Sequence, residues 1–174
     1  DNLKVKYAAE VKNFEADKYM DSKAARKMAT YCKFAVAAAK MALEDSDLLD
    51  KKDILEDAAV YLGVGIGGLE VTEKSMKSYF DSNQTRMPPM TVPELIPNEG
   101  AGNISIAFGL HGAAHTVATA CASGTDAIGN ALDQIRCGRY DVILAGGAES
   151  THCGFANLGF NVLQALSTNE FRFP

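Results

Sequence analysis

The sequence predicts an α/β protein layered around a mostly parallel sheet, and three stretches carry that prediction. Ala58-Ala59-Val60-Tyr61-Leu62-Gly63-Val64-Gly65 and Tyr140-Asp141-Val142-Ile143-Leu144-Ala145-Gly146-Gly147 are compact apolar runs closing on glycine, the pattern of strands buried on both faces. Between them, His115-Thr116-Val117-Ala118-Thr119-Ala120 reads as a third strand running into a helix that starts beside Cys121. Strands that alternate with helical stretches pair in parallel, with helices laid on the faces of the sheet.

The remaining elements follow in chain order. Val5-Lys6-Tyr7-Ala8-Ala9-Glu10-Val11 alternates weakly and suggests an edge strand. A helix is expected from Ser22, its cap, to Leu43, with Met28, Cys32, Ala35, Ala38, Ala39 and Ala42 at helical spacing and alanine permitting close packing. Asp45 to Asp57 reads as an acidic surface connection with a short helical turn. After the first apolar run, Gly63-Val64-Gly65-Ile66-Gly67-Gly68 leads into a helix through Lys77. The segment from Gln84 to Asn98 holds four of the five prolines and cannot be one helix; its apolar residues suggest a loop buried against a partner or ligand. A further helix is expected over Ala101 to Phe108.

Composition narrows the function classes. The 174 residues are 47% hydrophobic and 22% charged with a net charge of −5, enough for one domain with a sizeable core. Charges of both signs are mixed along the chain, which gives no basic face for nucleic acid or anionic lipid. No apolar run approaches the roughly 20 residues of a membrane span, and the first residues do not resemble a signal peptide. Four cysteines without framework spacing indicate a reducing compartment, most simply the cytoplasm. The chain does not start with methionine, so a trimmed or partial N-terminus is expected.

Cys121 is the candidate nucleophile. The free N–H groups and positive dipole end of a helix N-terminus stabilise a thiolate, and the small neighbours leave the sulfur approachable. Cys32, Cys137 and Cys153 are read instead as small packing residues. Two other patterns compete for attention. Gly63, Gly65 and Gly68 spell the dinucleotide fingerprint, but no strand-closing carboxylate follows about 20 residues later, so these glycines are read as allowing close packing around Ile66. His111 and His115 are four apart with Gly112 between them; on a strand they would lie about 13 Å apart, too far for one metal ion.

Thr119-Ala120-Cys121-Ala122-Ser123-Gly124 with Asp126-Ala127-Ile128-Gly129 resembles the elongating β-ketoacyl-acyl-carrier-protein synthases of thiolase-like fold. Gly63 to Gly68, Ile96-Pro97-Asn98, Ala145 to Glu149 and Ala165-Leu166-Ser167-Thr168 resemble family segments in family order, so the likeness runs from about Tyr7 to Thr168. The resemblance implies a layered α/β/α fold and an acyltransferase of fatty-acid elongation. In that family the cysteine takes an acyl chain from acyl carrier protein as a thioester, and malonyl-acyl-carrier protein loses CO₂ and attacks it. Cys121 would then be the nucleophile, and its N–H half of an oxyanion hole. Ala120, Ile66 and Phe160 would line the acyl site; no cofactor and no metal are expected. The third strand resembles a homodimer interface, and the proline-rich segment one that closes the partner's pocket.

The family's first strand, its two catalytic histidines, its lysine and its second oxyanion N–H have no counterpart here, and similarity stops at Asn169-Glu170-Phe171-Arg172-Phe173-Pro174. The resemblance therefore implies that residues 1–174 are the N-terminal half of a larger enzyme, cytoplasmic or in a plastid-type organelle. The alternatives are a non-catalytic partner subunit of the same fold, a thiolase-like enzyme acting on coenzyme A esters and, more distantly, a nucleotide-binding protein.

Overall fold

A computed structural model describes residues 3–5, 7–82 and 86–168. The described elements are helices α1 (Ser22–Ala25), α2 (Thr30–Asp45) and α3 (Lys52–Leu55), strand β1 (Ala59–Gly63), helices α4 (Leu69–Ser82), α5 (Thr91–Leu95) and α6 (Glu99–Phe108), strand β2 (Ala114–Val117), helix α7 (Ser123–Arg136), strand β3 (Ile143–Gly147) and helix α8 (Gly154–Val162). The strands form one parallel sheet in the order β2-β1-β3. Tyr61 stands beside His115 on one side and Ala145 on the other.

The strand period of two divides β1 between two helical layers. Val60 and Leu62 join Tyr31, Cys32, Val36 and Leu43 of α2, with Ala101 and Ile104 of α6, in the main core. Ala59 and Tyr61 face the opposite way, onto Ala127 and Ala131 of α7. This is the expected α/β/α layering, and β1 is buried along its whole length, as its apolar run predicted.

Four expectations are corrected. First, Val5 to Val11 forms no strand among the described residues, Lys6 lying outside them; the Val5 N–H donates instead to Asn161 Oδ1 at 2.9 Å. Second, the long helix from Ser22 breaks in two. Asp21, not Ser22, caps α1 by accepting from the amides of Lys23 and Ala24, and Ala29 is extended at ψ 160°. The Thr30 N–H, which a continuous helix would use internally, donates to Glu70 Oε1 at 2.8 Å, so a tertiary bond starts α2. Third, β3 is only half covered, because it pairs with β1 alone and is an edge among the described residues. Fourth, of the three cysteines read as packing residues, Cys32 is buried and Cys153 half-buried, but Cys137 is exposed at the end of α7.

The proline-rich segment behaves as a pinned loop. Gln84 and Thr85 lie outside the described residues; beyond them α5 is a single short turn with Pro93 near its start, where proline is tolerated. The loop is held from inside: the Tyr31 hydroxyl donates to the Ile96 carbonyl at 2.8 Å and the Gly68 N–H to the Leu95 carbonyl at 3.3 Å. Asn169 to Pro174 lie outside the described residues.

Candidate active site

The three strands end at Gly63, Val117 and Gly147, and a cavity of about 490 Å³ opens past these carboxyl ends. That is where open α/β sheets bind ligands. The loop after β1 contributes Gly65 and Ile66, and the turn after β2 contributes Ala120 and Cys121. Ser123 and Gly124 come from the first turn of α7, Ala148, Glu149 and Thr151 from beyond β3, and Phe160 from α8. All four residues the sequence nominated, Cys121, Ala120, Ile66 and Phe160, line this one cavity.

The backbone around Cys121 is more angular than a strand running into a helix. β2 stops at Val117, Ala120 turns into the left-handed region at φ 51°, and Ala120–Ala122 form one turn of 3₁₀ helix before α7 begins. A left-handed alanine is strained by roughly 1 kcal/mol or more, so the surroundings must hold it. Ser123, nearly fully buried, does so. Its hydroxyl oxygen accepts from the Thr119 N–H at 2.9 Å, and its proton goes to the Ala120 carbonyl at 2.6 Å. Ser123 is thereby committed to the turn rather than to chemistry. Cys121 stays exposed at the crest, and the start of α7 has no side-chain cap competing for its first amides.

Glycines seat this turn on the sheet. A Cβ on Gly63 would fall 2.2 Å from the Ser123 carbonyl carbon, and one on Gly147 would fall 3.0 Å from the Gly124 Cα. With no side chain at Gly63, Gly124 or Gly147, α7 descends onto β1 and β3 until its amino end meets the cavity. Close packing, and not phosphate binding, accounts for Gly63; the same holds for Gly68, whose Cβ would lie 2.2 Å from the Glu94 carbonyl oxygen.

Two carboxylates that the sequence did not single out brace the walls. Glu149 Oε2 accepts from the Ile66 N–H at 2.7 Å, and Oε1 accepts from the amides of Gly67 at 3.2 Å and Ser150 at 3.3 Å. Glu73 of α4 accepts from the Phe155 N–H at 2.8 Å, capping α8, the helix that carries Phe160; that bond, with others at the same helix end, holds its carboxyl below the usual range. Apart from the adjacent Ser150, the partners lie more than eighty positions away in sequence, so no local motif signals them.

The histidines stand elsewhere. His111 Nδ1 lies 3.7 Å from Glu56 Oε1, and the His115 ring packs 4.9 Å from that of Tyr61; neither these nor His152 lines the cavity. The other distinctive ionisable group is Glu99, at the start of α6 in the main core. Burial lifts its carboxyl to about 7, and neither oxygen has a hydrogen-bond partner; the nearby Ala29 N–H lowers it somewhat without reaching bonding geometry. Burial likewise raises the adjacent thiol of Cys32.

A layered α/β fold that presents an exposed cysteine on a glycine-seated turn above a parallel sheet is the thiolase-like class, and solved structures agree. The ishigamide ketosynthase/chain length factor superposes with a TM-score of 0.85 at 28% identity, over 97% of this chain and 42% of that one. A type II PKS ketosynthase, solved in complex with its acyl-carrier protein and bound to the hexaketide, gives 0.78 at 25% identity over 87% of this chain and 44% of that one. Residues 2–173 match the β-ketoacyl synthase N-terminal domain, and the chain belongs to that family; the match runs past Thr168, where the likeness was expected to stop, to residue 173. Among its curated relatives, 3-oxoacyl-[acyl-carrier-protein] synthase 2 of Staphylococcus aureus is 37% identical over 166 residues, 95% of this chain. The chain spans 41% of that relative's length.

Proposed function

We propose that residues 1–174 are the nucleophile-bearing N-terminal part of a β-ketoacyl-acyl-carrier-protein synthase that elongates fatty acyl chains. The observation that carries this reading is the exposed Cys121 on a strained, braced turn, lining one cavity with Ile66 and Phe160.

In the first half-reaction the Cys121 thiolate attacks the carbonyl carbon of an acyl thioester on acyl carrier protein. A bond forms from Sγ to carbon, and the negative charge moves to the carbonyl oxygen. The Cys121 N–H supplies one donor to that oxygen. Collapse expels the carrier's thiolate, which takes up a proton, and leaves the acyl group on Cys121 with its chain along Ile66 and Phe160. In the second half-reaction a malonyl thioester loses CO₂, the carbanion attacks the acyl-enzyme carbonyl, and the Cys121 sulfur leaves. With no histidine lining the cavity, the groups that stabilise the decarboxylation fall to the rest of the polypeptide.

The partner chemistry follows from the same reading: acyl carrier proteins loaded with acyl and malonyl groups, in the cytoplasm or a plastid-type organelle. No helix among the described residues is long and apolar enough to cross a membrane. We assign homodimerisation to β2, which among the described residues pairs with β1 alone. Exposed apolar side chains on α7 (Ile128, Leu132, Ile135) and α8 (Phe155, Leu158, Val162) favour cover by a partner copy and by further chain.

Intact-mass analysis of the complete polypeptide after incubation with acyl-loaded carrier protein tests the proposal. The wild type gains one acyl group on Cys121 and Cys121→Ala gains none. A folded wild type that takes up no acyl group, or an adduct that survives in Cys121→Ala, overturns it and favours a non-catalytic subunit.

A further inference from the structure

We propose that Glu149 is a positioning residue for acyl-chain selection, fixing the backbone that presents Ile66 to the cavity. The inference rests on the acyl-transfer reading and concerns how the same site measures its substrate.

Ile66 is 44% exposed. Packing alone therefore does not hold it, and the placement of a residue on a glycine-flanked loop falls to its backbone. That backbone is tied at two successive amides, Ile66 and Gly67, to the two oxygens of Glu149 at 2.7 and 3.2 Å. The loop has been shaped around the carboxylate. A Cβ on Gly65 would lie 3.0 Å from Glu149 Oε2, and Gly67 takes φ 88°, which an L side chain rarely adopts. The other end of the tie is also fixed, because Oε1 accepts from the Ser150 N–H just beyond β3.

A carboxylate that lines the cavity beside a thiol invites a general-base reading, but the donors argue otherwise. Both oxygens already receive N–H groups from the protein, so the anion is directed at the loop. Glu149 acts on the substrate through Ile66. A glutamine in its place keeps one acceptor oxygen and turns an N–H₂ group toward a backbone N–H, which breaks one of the two ties. The loop then drifts, and the wall of the cavity that Ile66 contributes loses its fixed position.

The test uses the complete polypeptide and compares Cys121 loading from carrier protein bearing a short (butyryl) and a long (palmitoyl) chain. Glu149→Gln is expected to change the long-to-short ratio of loading rates by about tenfold, the scale on which small changes in a hydrophobic pocket discriminate. A ratio unchanged while both rates fall together overturns the proposal, since that is what general disorder of the site produces. A second comparison keeps the proposal open to refutation if Glu149→Gln is poorly folded: in an Ile66→Ala background Glu149→Asp, one methylene too short to reach, has no further effect on the ratio if Glu149 works through Ile66. A further shift of the same size as in the Ile66 background overturns it. A wild type that loads neither chain defeats the acyl-transfer reading and this inference with it, a result distinct from one in which loading proceeds without a change in ratio.

Discussion

The two faces of β1 have been given different tasks. On one side Val60 and Leu62 meet large apolar residues of α2 and α6, where Tyr31, Val36 and Leu43 are almost wholly buried. On the other, Ala59 and Tyr61 meet the small side chains of Ala127 and Ala131 of α7, with Val117, Tyr140 and Ile143 packed around them, and the helix comes close because glycines clear its path. The first face supplies buried apolar area and hence stability. The second supplies proximity, delivering a turn to a defined height above the strand ends. The cysteines repeat the contrast, Cys32 sealed in the thick face with its thiol raised by burial and Cys121 on the crest of the thin one.

That division can be broken from either side. On the thick face, Leu43→Ala should cost about 3 kcal/mol, within the range for buried leucines, while the folded fraction still loads Cys121 at the wild-type rate; chemical denaturation paired with acyl loading decides it. A loading rate that falls in step with stability would deny the separation of tasks.

Glu99 probes the same face by pH. Its carboxyl is raised to about 7 from 4.5, so the protonated form is the one the fold favours. Stability from this group is fully present below about 4.5 and is lost as pH rises to about 7, a swing of about 3 kcal/mol. Glu99→Gln should match the wild type at pH 4 and exceed it by roughly that amount at pH 8. Parallel stability curves would show that Glu99 is not desolvated as described.

On the thin face the order of effects reverses. Gly63→Ala places a methyl group against the Ser123 backbone and should cost about 1 to 3 kcal/mol, yet lower Cys121 loading more than tenfold, because the turn is lifted off the sheet. Near-normal loading would mean that the seat can shift without consequence.

The smallest effect belongs to Glu73. Glu73→Gln weakens the cap on α8 and should speed hydrogen exchange at the Phe155 amide at neutral pH, leaving global stability nearly unchanged. Its carboxyl is held low, so the wild-type cap is present above the unfolded value near 4.5 and lost as pH falls through the folded value. The two proteins should therefore converge in acid; a constant gap across pH would rule out the carboxylate as the cap.

What the sequence disclosed divides along similar lines. β1 was legible because full burial writes itself as an unbroken apolar run. Cys121 was legible because a reactive thiol requires small neighbours and a helix start, both contiguous in sequence. The break at Ala29 was not, since no proline or glycine marks it and its cause is a bond from Thr30 to Glu70 across the fold. β3 looked as deeply buried as β1, yet an apolar run does not say how many neighbours a strand has. Glu149 was visible only as part of a family segment, its partners lying beyond the reach of any periodicity.

The left-handed backbone at Ala120 has a practical corollary. A conformation that alanine would leave if released is maintained only while Ser123 and the glycine seat hold it, so the thiol next to it acts as a gauge of local integrity. Labelling kinetics at Cys121 would register a loosening of the turn before far-UV circular dichroism, which averages over every helix, shows any change.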